Sequence, residues 1–358
     1  MKRDRVRQEG ARIQDQIKFR GFEALILENR WLRVLISPEK GSDILELVYK
    51  PLDLDLLWRA PAGFWQLEQP YAADVTIRRS FIDCYPGGWQ EILPNGGPGC
   101  VYQGAPFDEH GETPLLPWSC QIIEDEPQSV AVRLTTRTLR APLRIEKIVR
   151  LKEDSALSFQ ESVTNLGVEP VAAMWGHHPA LGAPLIDQGC WIDLPECRGV
   201  AHPVERFPTQ RLAPDQAFTW PLAPGRYGGT IDLSRVQAPH AGSADLVYLT
   251  DLSEGWCAVT NPRLQVSFGM AWTQETFRHL WIWHDANGTS GYPWYGQGYV
   301  LALEPWSSYP SMGLAEAVAR NTHLLLQPGE TRRAELTAAV APNAQRVRQV
   351  SLAGQIKV

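Results

Sequence analysis

Two adjacent histidines, His177 and His178, close an extended apolar run in Trp175-Gly-His-His-Pro-Ala-Leu-Gly182. Imidazole is the side chain whose ordinary pKa lies nearest neutrality, so it can give or take a proton there. Successive strand residues face opposite sides, and at most one of the pair faces any one cleft. Pro179 cannot donate to a ladder and ends regular pairing just after His178, which favours His178 as the one presented. Glu304 follows the apolar strand Tyr299-Val-Leu-Ala-Leu303 and precedes Pro305. Desolvating a carboxylate alone is costly, so Glu304 needs either a basic partner or a chemical use. His110 lies in Glu109-His-Gly-Glu112, where Gly111 permits a tight turn or the close approach of a ligand. Imidazoles opposite a carboxylate supply the acid and base that proton transfer near neutral pH requires.

Tryptophan marks the same places. Of fourteen Trp, seven (Trp89, Trp118, Trp175, Trp281, Trp283, Trp294 and Trp306) lie in or near these polar motifs. An indole has an apolar face and one N–H donor, which suits the C–H face of a sugar ring bordered by hydroxyls. Filling a large core is the competing use of each ring. Asp245, Asp285 and Glu91 are acidic candidates beside aromatics, and Gln90 adjoins Glu91. Arg78 and Arg79 could donate to sugar hydroxyls or to an anionic substituent.

Strands must position these groups. Short alternating runs recur along the chain, among them Val130-Ala-Val-Arg-Leu134, Leu143-Arg-Ile-Glu-Lys-Ile-Val-Arg-Leu151 and Leu264-Gln-Val-Ser-Phe268, punctuated by 28 Pro and 29 Gly. A period of two between turn signals predicts strands with one face on the core. Helical periodicity is confined to the N-terminal segment and to residues 313–320. The fold expected is an all-β, large antiparallel sandwich with few short helices. Residues 21–345 are expected to form one domain, between a charged N-terminal segment (1–20) and a C-terminal tail (346–358). The Pro/Gly-rich stretch from Pro203 to Gly229 is expected to leave and rejoin the same sheet, because strand signals resume at Asp245.

Composition removes several function classes. A net charge of −6 and no long basic run argue against nucleic acid as a partner. No stretch has the roughly 18–20 apolar residues that span a bilayer. Met1 to Gln16 is charged and lacks an apolar core, so no ordinary secretory signal is expected and the cytoplasm is the expected location. Cys84, Cys100, Cys120, Cys190, Cys197 and Cys257 contain no C-x-x-C pair, and no metal site is assigned. P-loop, dinucleotide and nucleophile-elbow signatures are absent.

Taken in order, the motifs resemble the galactose mutarotase-like superfamily, specifically the aldose 1-epimerases and hexose-phosphate epimerases. The resemblance runs from about Phe22 to Val340. It is carried by Leu32-Arg-Val-Leu-Ile-Ser-Pro38 with Gly41 and Leu57-Trp58, by Gly87-Gly-Trp-Gln-Glu-Ile-Leu-Pro-Asn95, and by His110-Gly111. His178-Pro-Ala180, Asp245-Leu-Val-Tyr-Leu249, Glu304 and the closing turn Leu326-Gln-Pro-Gly-Glu330 complete it. No motif is specific alone; their order and spacing are.

The resemblance implies a β-supersandwich and a cofactor-independent aldose 1-epimerase (mutarotase) with a small-molecule sugar as its substrate. Glu304 would take the proton of the anomeric hydroxyl and His178 would protonate the ring oxygen. His110 would bond the sugar near the reacting centre, and Asp245 would hold hydroxyls. Arg78, Arg79, Trp89, Gln90, Glu91, Trp175, His177, Trp283, Asp285 and Trp306 are the further expected sugar contacts. The chain departs from the family where His177 precedes and Pro179 follows the catalytic histidine. The scarcity of clustered Arg favours a sugar without phosphate. Competing readings are a non-catalytic sugar-binding or sensor protein, a hexose-6-phosphate 1-epimerase, and a lyase or hydrolase relative. The sequence assigns no oligomeric state.

Overall fold

The computed structural model describes residues 7–61 and 81–358. Its strands build two large antiparallel sheets, of fourteen and eight strands, and three two-stranded ones. Across the centre of the larger run Trp89–Ile92, Gly176–Gly182, Tyr299–Trp306, His279–Ala286 and Ser243–Thr250. The smaller is ordered Trp191–Asp193, Trp256–Asn261, Val266–Trp272, Thr331–Pro342, Ala156–Asn165, Leu143–Lys152, Ser129–Arg137 and Ser119–Glu126.

Sequence pattern explains which strands lie where. Along Leu143–Lys152 the odd positions are buried and the even ones half-buried or exposed, as a strand with one wet face requires. Each fully buried Ile, Leu or Val on such an inner face contributes roughly 1.5–3 kcal/mol. Gly176–Gly182 is buried at every position, and Tyr299–Trp306 at all but its first. Their inner faces meet the smaller sheet, while their outer faces floor the cleft described below. Burial at every position marks a strand covered on both faces, and it recurs away from the cleft in Trp256–Asn261 and Val266–Trp272 of the small sheet.

These two strands are paired unevenly. Cross-strand pairs hold at Gly176↔Trp306 and resume at Ala180↔Ala302 in the same register. That register sets His178 opposite Glu304. Between the two ladders lie Pro179 and Pro305, neither with an N–H to give.

The short helix expected at 313–320 is present as Leu314–Ala319. The described part of the N-terminal segment, residues 7–20, is not helical: Arg12–Phe19 is a strand paired with Phe22–Glu28. Its turn, Arg20-Gly21, has φ of 52° and 92°, and its charges pair across the hairpin, as Arg12 does with Glu28 at 2.8 Å. The tail packs Val347 and Val350 against Trp256, Ala258 and Ala271. Residues 203–229 return to the large sheet, where Ala217–Thr219 and Leu222–Pro224 extend it beyond Arg198–Ala201. No helix among the described residues is long and apolar enough to cross a membrane.

Candidate active site

A cleft of about 820 Å³, counting open solvent at its mouth, lies on the outer face of the large sheet. His178 and Glu304 meet at its floor, with Nε2 of the imidazole 3.7 Å from Oε1 of the carboxyl. The other carboxyl oxygen, Oε2, accepts a hydrogen bond from the Trp306 indole at 3.0 Å. Trp306 is held in turn by stacking on Trp281, with centroids 4.0 Å apart and planes 12° from parallel. Gly176 lies against that ring: a Cβ there would stand 2.2 Å from Trp306 Cδ2.

On the other side of His178, the Tyr85 hydroxyl is 3.3 Å from Nδ1. A hydroxyl can donate or accept by rotating, so it can follow the imidazole through a change of protonation. His110 stands 5.4 Å from His178, centroid to centroid, and packs against Phe81. It sits at φ 53° and is followed by Gly111 at φ 69°, the left-handed turn that brings it to the cleft. The Gly97 N–H points at its Nδ1 from 3.4 Å, so the neutral ring carries its proton on Nε2.

Burial governs the protonation of this group. It pushes the Glu304 carboxyl up to about 8, against the opposing pull of the Trp306 bond and the Arg206 charge. It pushes the His178 imidazole down to about 4, and His110 well below the usual histidine range, with the charges of His178 and Arg206 adding to the latter. Although His178 and Glu304 sit at ion-pair distance, the stable arrangement near pH 7 is therefore a neutral imidazole beside a protonated carboxyl. The pair holds one proton.

The expected sugar contacts divide. Trp283 lines the cleft with His178, His110 and Glu304. Trp306 is fully buried and acts on Glu304 instead of lining the cleft. His177 points into the sandwich, as strand alternation requires, and is not a cleft residue. Trp89, Glu91 and Trp175 are with it in the interior: Trp89 bonds His177, and Trp175 Nε1 bonds Glu91 Oε1 at 2.9 Å. Gln90 spends its amide on Asp43 and the Gly87 carbonyl. Asp245 lies on the opposite face from the cleft residue Leu246, and both its oxygens are taken by Arg211. Asp285 accepts from the Gly288 N–H at 2.7 Å and ties down the loop that follows. Arg78 and Arg79 fall outside the described residues.

Sequence reasoning missed several lining residues. Tyr85 lies just before the Pro86-Gly87-Gly88 turn, a breaker cluster that could have marked it as a strand-end residue. Trp281 and Trp294 belong to the Trp-rich segments but were not assigned to the cleft. Arg206 and Glu109 face each other at 3.9 Å near the mouth, one from the 203–229 excursion and one from the His110 turn. Nothing local in the sequence marks Arg206.

One cluster away from the cleft has metal-ligand types. Atoms of Glu91, Glu161 and His177, all buried, lie within 4.8 Å of one another. Two observations make it unfit for a metal. The Lys147 ammonium is 3.2 Å from Glu91 Oε2, and Trp89 donates to His177 Nδ1 at 3.1 Å. An indole can only donate, so Nδ1 has no proton and Nε2 carries it, which leaves no lone pair for an ion.

A family profile matches residues 19–340, nearly the whole described chain. The chain belongs to the DUF4432 family. That family is described as a domain of unknown function. A search of curated proteins finds no match to this DUF4432 chain. Solved structures do resemble it. One from Klebsiella pneumoniae, provisionally described as an aldose 1-epimerase, has a TM-score of 0.70 at 15% identity and covers 93% of this chain and 84% of its own. A galactose mutarotase-like protein from Clostridium acetobutylicum gives 0.65 at 14% identity, covering 93% and 99%. The Slr1438 protein of Synechocystis gives 0.63 at 16%, covering 92% and 100%. The DUF4432 domain thus has the galactose mutarotase-like sandwich expected from its motifs.

Proposed function

We propose that this protein interconverts the α and β anomers of an aldose by proton transfer to and from His178 and Glu304. The observation that carries the proposal is the 3.7 Å approach of His178 Nε2 to Glu304 Oε1 at the floor of an aromatic-walled cleft. Opening a pyranose needs one proton removed from the anomeric hydroxyl and one delivered to the ring oxygen. Closing it on the other face reverses both transfers, so the proton count of the protein is unchanged over a cycle. A pair holding a single proton meets that requirement without a cofactor.

The family roles, Glu304 as base and His178 as acid, place that proton on His178. Burial favours it on Glu304. Both arrangements have the same proton count and differ by one transfer across the pair. Sugar hydroxyls entering the cleft would solvate the ionised form and lower the cost of that transfer. His110, a neutral N–H donor, bonds a sugar oxygen near the anomeric centre. Trp281, Trp283 and Trp294 offer flat faces to the ring.

NMR saturation transfer between anomers, run over a panel of neutral, acidic and phosphorylated aldoses, tests this. Acceleration for at least one sugar is expected. Tight sugar binding by calorimetry with no acceleration for any sugar would make the protein a sugar-binding module instead.

A further inference from the structure

The interior behind the dyad is more polar than a sandwich core needs. Trp89 Nε1 donates to His177 Nδ1 at 3.1 Å, and His177 Nε2 donates to Glu161 Oε2 at 2.9 Å. Trp89 and His177 belong to the large sheet, and Glu161 to the strand Ala156–Asn165 of the small one. The chain of bonds therefore crosses from sheet to sheet, and all three side chains are buried. The indole fixes the tautomer of His177, as argued above. His177 accepts at one ring nitrogen and donates at the other, so both are engaged and the ring acts as a strut.

Its place in the strand gives the strut a purpose. His177, His178 and Pro179 are the residues at which pairing with Tyr299–Trp306 lapses. On that side the backbone of the reacting strand has no ladder to set its height. On the other side it pairs with Trp89–Ile92, the strand that supplies the indole. A buried polar chain costs more than well-packed apolar groups of the same volume, so its presence here calls for a use beyond stability.

We propose that His177 is a positioning residue: the Trp89–His177–Glu161 chain replaces the missing ladder and sets His178 against Glu304. The inference rests on the proton-transfer role of His178 given above. A displacement of about an ångström at a reacting group is enough to cost catalysis heavily.

The experiment compares three variants in the full chain. His177→Phe/Glu161→Leu removes the strut and fills its space without leaving a carboxylate unpaired. Glu161→Gln keeps an oxygen to accept the His177 proton. Trp89→Phe removes only the indole donor and guards against misfolding of the double variant. For the double variant and Trp89→Phe, kcat is expected to fall roughly five- to tenfold with KM little changed. Glu161→Gln is expected to retain most of the activity. Nitrogen NMR of the His178 ring, recorded without sugar, should shift or broaden in the first two and match wild type in the third. That measurement needs no turnover, so it decides the positioning role even if no aldose proves to be a substrate. A folded double variant or Trp89→Phe with wild-type kcat and a wild-type His178 spectrum would overturn the proposal.

Discussion

Trp306 occupies one oxygen of Glu304, donating to Oε2 at 3.0 Å, and so leaves Oε1 alone to face His178. The working oxygen of the carboxyl is chosen by an indole that never reaches the cleft.

That relationship predicts a pH effect. Glu304 at about 8 and His178 at about 4 bound the range in which the pair holds one proton. The kcat/KM profile should be flat between those values, falling above pH 8 as the proton is lost and below pH 4 as a second is gained. The indole bond favours the ionised carboxylate, so removing it raises the Glu304 pKa. Trp306→Phe should therefore move the alkaline limb upward by roughly one pH unit and leave the acid limb in place. A downward move of the alkaline limb would contradict the assignment.

Gly176 should not tolerate a methyl group. The Trp306 ring is confined by Gly176, by Gly96 and by its stack on Trp281, so it has nowhere to retreat. Gly176→Ala is expected to cost about 1–3 kcal/mol in urea unfolding. It should also lower kcat at least about tenfold by turning Glu304 away from His178. An alanine variant with unchanged stability and rate would show that the ring is not wedged.

The two histidines should separate cleanly. His178→Asn removes one member of the dyad and should lower the rate roughly a hundredfold or more. His177→Asn alters only the strut behind it and should cost much less. Initial rates for the two variants on one sugar decide this; a greater loss from His177→Asn would reverse the roles.

A 6-phosphate should bring no advantage. Arg206 is the one guanidinium lining the cleft among the described residues, and Glu109 opposes it at 3.9 Å. A phosphate prefers an unopposed, bidentate fork. Comparing kcat/KM on glucose and glucose 6-phosphate checks this, and a strong preference for the phosphate would refute it.

Much of this molecule could be read from residue types, and the limits have physical causes. Alternation in runs such as Leu143 to Leu151 foretold the sheets because one wet face leaves a period of two. His110, His178, Trp283 and Glu304 line the cleft, but the last three do so from within strands and not from strand ends. Pro179 interrupts pairing on one side only, and the strand expected to stop there runs on to Gly182. His177, Trp89, Glu91 and Trp175 were misplaced because a polar group in a buried inter-sheet network has the same local sequence as one in a cleft. Asp245 was misplaced because its partner, Arg211, lies in an excursion with no strand register to relate the two. Arg206 was invisible for the same reason. The N-terminal strand was mistaken for a helix because its charges pair across a hairpin that local periodicity does not reveal.

The most direct test of the central claim is the anomer exchange rate of Glu304→Gln beside that of the wild type. Glutamine keeps the shape and the oxygen that accepts from Trp306, but it can neither hold nor release the shared proton. NMR saturation transfer on the sugar turned over fastest should show a loss of roughly a hundredfold or more, with calorimetric affinity for that sugar largely kept. Exchange at the wild-type rate in Glu304→Gln, with sugar still bound, would contradict the account.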